Sequence, residues 1–579
     1  MYLDYKVNIP DKKGITRKTI KGTTYVYYAY DRKYDPKKKH TVPINTTIGR
    51  CESDESDRMY PNTNFLKYFP DVDMPLEKET EVYRSSCLRI GSYLVLRRIA
   101  AEYRLEEMLS RIIGKDSGLF LDLAIYTIIT ENNAGQYYPE YAFNHPLFTS
   151  GMRIYSDSKV SDFLNSLTVE QSIAFQNEWN ANHDHREKIY ISYDSTNKKC
   201  QAGDIDLVEN GYFKEEIKAP VINYAIAYDT NNAVPLFYED YPGSIVDISQ
   251  LQAMLEKANG YGYRHAGFIL DRGYFSKENI HYMDKCGYDF VIMMKGMREL
   301  VKDLVLQVKG TFEEDRSCSI REYKVSGTTV KKQLYPSDRK KRYFHIYYNS
   351  RRTSSERESL EAKIDHLSDC LRKYEGTGNR PPEGFRKYFD LIYHHEGQED
   401  EKFMYGRELT EVINEEIKLC GYFVIITSEE MTAAEALDLY KSRDASEKLF
   451  RGDKSYLGNR SFRTHTNEST QAKIFVEFVA LILRNRFHTC IRKQRLSSGK
   501  KSNYMNVPAA IRELEKIEMI RQYDGQYRLA YAVTATQKEI LKAFGMTAAG
   551  IKEQAIGIGE DLLRASKREE EKWQEKEQQ

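Results

Sequence analysis

Lys188-Ile-Tyr-Ile-Ser-Tyr-Asp194 and His265-Ala-Gly-Phe-Ile-Leu-Asp271 share one construction: a short β-rich apolar run that ends on a carboxylate. Branched and aromatic residues suit a half-buried or buried strand, and a strand that closes on Asp presents a carboxylate at the rim of a sheet. Gly273, two residues after Asp271, lets the chain turn sharply away. Taken singly, each Asp fits an ordinary strand-end turn or helix cap. Working outward, the stretches 219–228 and 233–240 read as strands joined by a turn at Asp229-Thr-Asn-Asn232. Asp247 with Gln250 marks a helix start. A helix near Ser276–Cys286 and a strand over 288–294 follow Asp271. The order is strand, strand, strand, helix, strand, helix, strand.

A second signal lies downstream, in Tyr440-Lys-Ser-Arg443-Asp-Ala-Ser-Glu447-Lys-Leu-Phe-Arg-Gly-Asp-Lys454. Thr432 and Glu435 form a capping box just before it, and Ala-Ala-Glu-Ala-Leu follows the cap, so a helix is expected. At about 100° per residue, Tyr440, Arg443, Glu447 and Lys454 fall on one face of a continuous helix. That face offers a carboxylate, two cations and a phenol, a set that suits a divalent ion beside phosphates. The alternative is a solvated helix with i,i+4 charge pairs.

The spacing Tyr-x2-Arg-x3-Glu-x6-Lys, with Asp194-Ser-Thr and Asp271-x-Gly-Tyr upstream, resembles the signature of IS4-type DDE transposases, including the IS1634-like branch. The resemblance implies an α/β chain with a ribonuclease-H-like catalytic core and a large insertion, preceded by a β-hairpin and a helical DNA-binding region. It implies that Asp194, Asp271 and Glu447 are catalytic and hold two Mg²⁺ or Mn²⁺ ions, hard cations that take oxygen ligands. Arg443 and Lys454 would clamp phosphates of the element-end DNA, while Tyr440 would hydrogen-bond a phosphate or stack on a base. Only Trp179 and Trp573 are tryptophans. Neither lies between Asp271 and Glu447, so a stacked base would need another aromatic residue or a methionine.

The formal net charge is +1, which does not itself point to nucleic acid, but cations cluster locally. Residues 12–39 interleave lysines and arginines with tyrosines, and Lys37, Lys38 and Lys39 tip a candidate hairpin that would grip element-end DNA. Arg339 to Arg342 form a second cluster and residues 484–501 a third. Arg463 and His465 are further candidate DNA contacts. Eight scattered cysteines show no CxxC pair, so neither a zinc site nor a disulfide framework is indicated. His183-Asp-His185 and His394-His395-Glu396 read as polar loops, and Gly557-Ile-Gly559 as a bend. No secretory signal and no membrane-spanning apolar run is expected, which with the resemblance suggests a prokaryotic cytoplasmic protein associated with the nucleoid.

The expected layout is 1–74 β-rich and basic; 75–186 helical, for end binding and dimerisation; 187–298 core, first part; 299–420 insertion; 421–500 core, second part; and 501–579 a helical module with a charged tail. Helices are expected at Ser92–Ile113, Leu119–Asn132 and Val160–Asn177. The partners implied are double-stranded DNA, both terminal inverted repeats and target, and a second copy in the DNA complex, with no membrane. Two other readings share the same basic surfaces: a non-catalytic or domesticated DNA-binding derivative, and a ribonuclease-H-like nuclease without strand transfer.

Overall fold

The computed structural model describes the chain except residues 1, 4–5, 21, 52, 54–55, 73–83, 184–186, 201–204, 214–215, 246, 295–297, 378, 396, 398–400, 446–447, 449–460, 500–504 and 578–579, and the side chains of 212–218, 247–248, 298, 461 and 567–577. Two compact units result: Met1–Phe163 with Arg486–Gln579, and Leu164–Asn485.

The first unit begins with an antiparallel sheet in the order β1 (Val7–Asn8), β5 (Arg58–Pro61), β4 (His40–Cys51), β3 (Thr23–Asp35), β2 (Ile15–Ile20). Val7, Val26, Ile48, Met59 and Phe65 form its core. The expected hairpin is therefore two strands of a sheet with five strands among the described residues. Strands β3 and β4 run on past β2, which pairs only as far as Tyr28. A short strand β6 (Cys87–Arg89) precedes the helices. The helix expected over Ser92–Ile113 is two, Gly91–Glu102 and Leu105–Ile113, because Arg104 between them takes a left-handed φ of 55°. The one expected at Val160–Asn177 also divides, into Asp157–Ser166 and Val169–Ala181. Thr168 starts the second piece with a capping box to Gln171, a local preference that overrides continuous periodicity.

The second unit is built on a mixed sheet with eleven strands among the described residues. They are β7 (Ile189–Cys200), β8 (Glu209–Phe213), β9 (Glu216–Asp229), β10 (Val234–Pro242), β11 (Ala266–Leu270), β12 (Asp289–Met293), β13 (Ser319–Ile320), β14 (Val325–Gln333), β15 (Lys341–Tyr348), β18 (Tyr422–Thr427) and β19 (Ser461–Phe462). The main path runs β10-β9-β7-β11-β12-β18-β15-β14-β13. Strands β10, β9 and β7 are antiparallel neighbours, and β11 and β12 then continue parallel to β7. Gly267 sits opposite Tyr190, whose ring crosses where a Cβ would stand.

Alternation along the strands separates two covered faces. Ile191, Tyr193, Phe268, Leu270 and Phe290 point to one, packed by Leu251, Met254, Ile280, Met283, Leu304 and Val305 of three helices. Ile269, Val291 and Ile425 point to the other, against Ala433, Leu437 and Tyr440. The expected insertion divides. Strands β13 to β15 extend the main sheet, with β15 paired to β18. Residues 350–419 form a smaller lobe, in which a long helix (Ser350–Arg372), β16 (Phe389–His394), β17 (Lys402–Glu408) and a second helix (Thr410–Leu419) bury Ile364, Leu371, Phe389, Phe403 and Ile413.

The last part of the chain returns to the first unit. Strand β20 (Glu518–Arg521) pairs with β6 on one side and β21 (Tyr527–Leu529) on the other. Ser92 Oγ donates to the Ile511 carbonyl across 419 residues of sequence, and His145 Nε2 lies 2.8 Å from Glu515. Among the described residues, no helix is long and apolar enough to cross a membrane.

Candidate active site

Strands β7 and β11 run parallel in register, with Ile269 opposite Ser192 and Leu270 opposite Tyr193. Asp194 and Asp271 come next on their respective strands, about 5 Å apart by the usual spacing of neighbouring strands. Both take the parity of Ile269, so both belong to the face covered by the Ala433–Ser442 helix. Here β11 ends: Asp271 Oδ1 accepts from the Arg272 N–H at 2.7 Å, and a 3₁₀ turn, Arg272–Tyr274, leads the chain off. Asp194 Oδ1 accepts from the Ser195 N–H at 3.0 Å. Two carboxylates thus stand side by side where one strand departs and the other continues.

The capping box at Thr432 and Glu435 forms as expected, with both reciprocal bonds in place. This helix ends at Ser442, with Arg443 as cap. The cause is local. Ser442 Oγ donates to the Leu439 carbonyl at 2.6 Å, and this carbonyl would otherwise receive the Arg443 N–H. That N–H turns instead to Tyr440 O, tightening the last turn. Arg443 itself keeps αR backbone angles (φ −57°, ψ −26°), and helical residues resume at Asp444. Glu447 and Lys454 lie outside the described residues.

Arg443 Nη1 reaches Asp271 Oδ1 at 3.3 Å, with the Arg side chain 13% exposed. Its guanidinium carbon sits 5.4 Å from the centre of the Tyr440 ring. Tyr440 itself is only 6% exposed, packed among Ile269, Val291, Tyr347 and Leu437. This burial makes its ring a wall behind Arg443 rather than an open platform for a base. Trp179 is equally committed to the core, at 2% exposure, with its indole N–H on the Pro235 carbonyl.

Further along β7, Lys198 is fully buried and ion-paired with Glu477 of the long helix Asn467–Ser497, under the rings of Tyr224 and Phe462. Arg463 and His465 are exposed and follow β19, which pairs with β7 at Lys199 and Cys200. Lys473 Nζ donates to the Arg463 carbonyl at 3.2 Å. Burial, then the Arg463 guanidinium, lowers Lys473 to about 8. Neither Lys473 nor the Lys198–Glu477 pair was legible beforehand, since both depend on which helix face meets the sheet. Lys37, Lys38 and Lys39 belong to the first unit, at the exposed turn between β3 and β4. In the cluster at 339–342, Arg342 is buried and paired with Asp284, which leaves Arg339, Lys340 and Lys341 at the surface.

No group of three metal-ligating side chains comes together among the described residues. Asp194 and Asp271 supply hard oxygen donors only, a set that fits Mg²⁺ or Mn²⁺ rather than a softer metal.

Residues 209–483 match the family model described as "Transposase DDE domain". That span includes Asp271, Arg443, Glu447 and Lys454 and begins after Asp194. No curated protein matches the chain. Among solved structures, a piggyBac transposase synaptic complex with hairpin DNA is similar at 7% identity and a TM-score of 0.31, over 62% of this chain and 57% of that one. A Mos1 transposase paired-end complex with the left transposon end is similar at 11% identity and a TM-score of 0.13, over 39% of this chain and 64% of that one. The chain thus spans less than two thirds of either.

Proposed function

We propose that this chain, which carries a transposase DDE domain over residues 209–483, is a DNA transposase of a bacterial insertion sequence, of the IS4 type and its IS1634-like branch. Its core would be ribonuclease-H-like, with Asp194, Asp271 and Glu447 as the catalytic carboxylates. The observation that carries the reading is the register of β7 and β11, which sets Asp271 beside Asp194 under the helix that leads toward Glu447.

The reaction follows from what such a site must do. Water attacks a phosphodiester phosphorus at the element end, and the bond to the 3′-oxygen breaks, leaving a 3′-hydroxyl. That hydroxyl then attacks a phosphodiester of target DNA, and a target 3′-oxygen leaves. One bond forms for each that breaks in the second step, so no nucleotide cofactor is needed. Two divalent ions, when bound by Asp194, Asp271 and Glu447, would activate the attacking oxygen and neutralise the leaving one. The carboxylates fix where that charge sits. Arg443, held against Tyr440 and reaching Asp271, limits repulsion between the two Asp side chains and stands ready to meet a DNA phosphate. Lys454, Arg463 and His465 would add phosphate contacts. The working assembly would be a homodimer on paired ends, in a prokaryotic cytoplasm.

The test is Mg²⁺-dependent nicking and joining on duplex DNA that carries the terminal repeats bracketing the gene. Asp194→Ala, Asp271→Ala and Glu447→Ala should each lower nicking at least about a thousandfold. Nicking unchanged in these variants would overturn the reading, and cleavage with no joined product would favour a nuclease.

A further inference from the structure

Beyond Tyr28, β3 and β4 leave the sheet and continue as a two-stranded ribbon. Asp31 to Asp35 pair with Ile44 to His40 without a break in register. No third strand flanks this ribbon among the described residues. Nearly all its residues are exposed, and Tyr34, 60% exposed, is a large ring left in solvent. Between residues 30 and 45 there are five lysines and arginines against two carboxylates. Both carboxylates are used within the backbone: Asp31 Oδ1 accepts from the Arg32 N–H at 2.7 Å, and Asp35 Oδ1 from the Lys37 N–H at 2.9 Å. The turn puts Lys37, Lys38 and Lys39 in sequence at the tip, with Lys39 at φ 53°. A bare pair of strands is marginal in water, so the shape calls for something to lie against.

We propose that this ribbon seats in the major groove of duplex DNA, with Lys37 to Lys39 on the phosphates flanking the groove and Tyr34 on its floor. Dimensions favour that groove. A two-stranded ribbon with its side chains fits an opening about 12 Å wide and not the minor groove at about 6 Å. Charge favours it as well, since duplex DNA carries one negative charge per roughly 1.7 Å of axis. The inference rests on the transposase reading for its partner and adds which element touches DNA, and how.

The experiment measures anisotropy binding of the full chain to a generic 30-base-pair duplex, plain or carrying glucosylated 5-hydroxymethylcytosine, which fills the major groove. The wild type should bind the glucosylated duplex at least about tenfold more weakly. A variant in which residues 32–43 are replaced by an Asn-Gly turn should bind plain DNA more weakly and lose the discrimination. A second variant keeps the ribbon: Lys37→Ala/Lys38→Ala/Lys39→Asn, Asn being tolerated at positive φ. It should reduce the slope of log affinity against log salt by between two and three. Equal binding of both duplexes by the wild type, full discrimination in the shortened variant, or tighter binding of the single strand than of the duplex would each overturn the groove assignment. A protein that discriminates between the duplexes but never nicks DNA upholds the ribbon and sinks the transposase reading.

Discussion

Asp271 carries the 3.3 Å contact with Arg443 on an oxygen that a metal ion would also use. A divalent cation must therefore compete with the guanidinium. Arg443→Gln should bind Mn²⁺ several-fold more tightly in the absence of DNA, as calorimetry would read, while its nicking rate falls. An unchanged Mn²⁺ affinity would mean that the pair does not restrain the site. Tyr440 has a different part. Tyr440→Ala should cost about 3 kcal/mol of stability, the usual penalty for truncating a buried aromatic ring, and Tyr440→Phe much less. That Asp271 would close a strand was legible from its apolar run; Asp194, expected at a strand end as well, sits in the middle of β7. The Arg443 contact was not legible. It depends on a helix end set by one serine hydroxyl, and periodicity alone sees an unbroken face.

Strand pairing decides the next level. His345 on β15 is fully buried between Thr329 Oγ1 at 2.9 Å and Thr427 Oγ1 at 3.0 Å. Burial lowers its pKa from the usual 6.5 to about 4. The unfolded chain thus takes up this proton first as pH falls. Stability is complete above 6.5 and declines by about 3 kcal/mol on the way down through 4. Unfolding measured against pH should show that loss, and His345→Gln should flatten it. Lys198 and Glu477 tie β7 to the long helix in the same unit. Lys198→Met alone should cost about 3–5 kcal/mol by stranding a buried carboxylate. Lys198→Met with Glu477→Met should recover most of that, read as melting temperature. The order of β7, β9, β10, β11 and β12 was readable from alternation and turns, while β8, paired to β9, was not expected. That β18 would lie antiparallel to β12, and that β14 and β15 would widen the same sheet, was not. Those partners are chosen by tertiary packing, and a strand's own residues do not name them.

At the scale of the molecule, the first unit is assembled from both ends of the chain. Residues 75–186 read as one helical region and 501–579 as a separate module, yet the first divides at Phe163, β6 pairs with β20, and His145 meets Glu515. A chain stopped at residue 500 should lose cooperative unfolding of residues 87–152 while Leu164–Asn485 stays folded. Proteolysis followed by mass spectrometry would report it, and equal protection of both regions would refute it. The two ends could not be matched from sequence, because each carries an ordinary amphipathic pattern that many partners would satisfy.

The bond from Ser92 to Ile511 also sets an order of events during synthesis. The segment that begins this unit leaves the ribosome long before the strand that completes it. Until then Leu88 and Ile90 lack the neighbours that bury them. The central unit, contiguous in sequence, can close meanwhile. A transcript cut short, or a ribosome that stalls late, would therefore release a chain with a finished central unit and an unfinished first unit. Completion of the polypeptide is in this sense a licence: only a full-length product presents every part of the molecule at once.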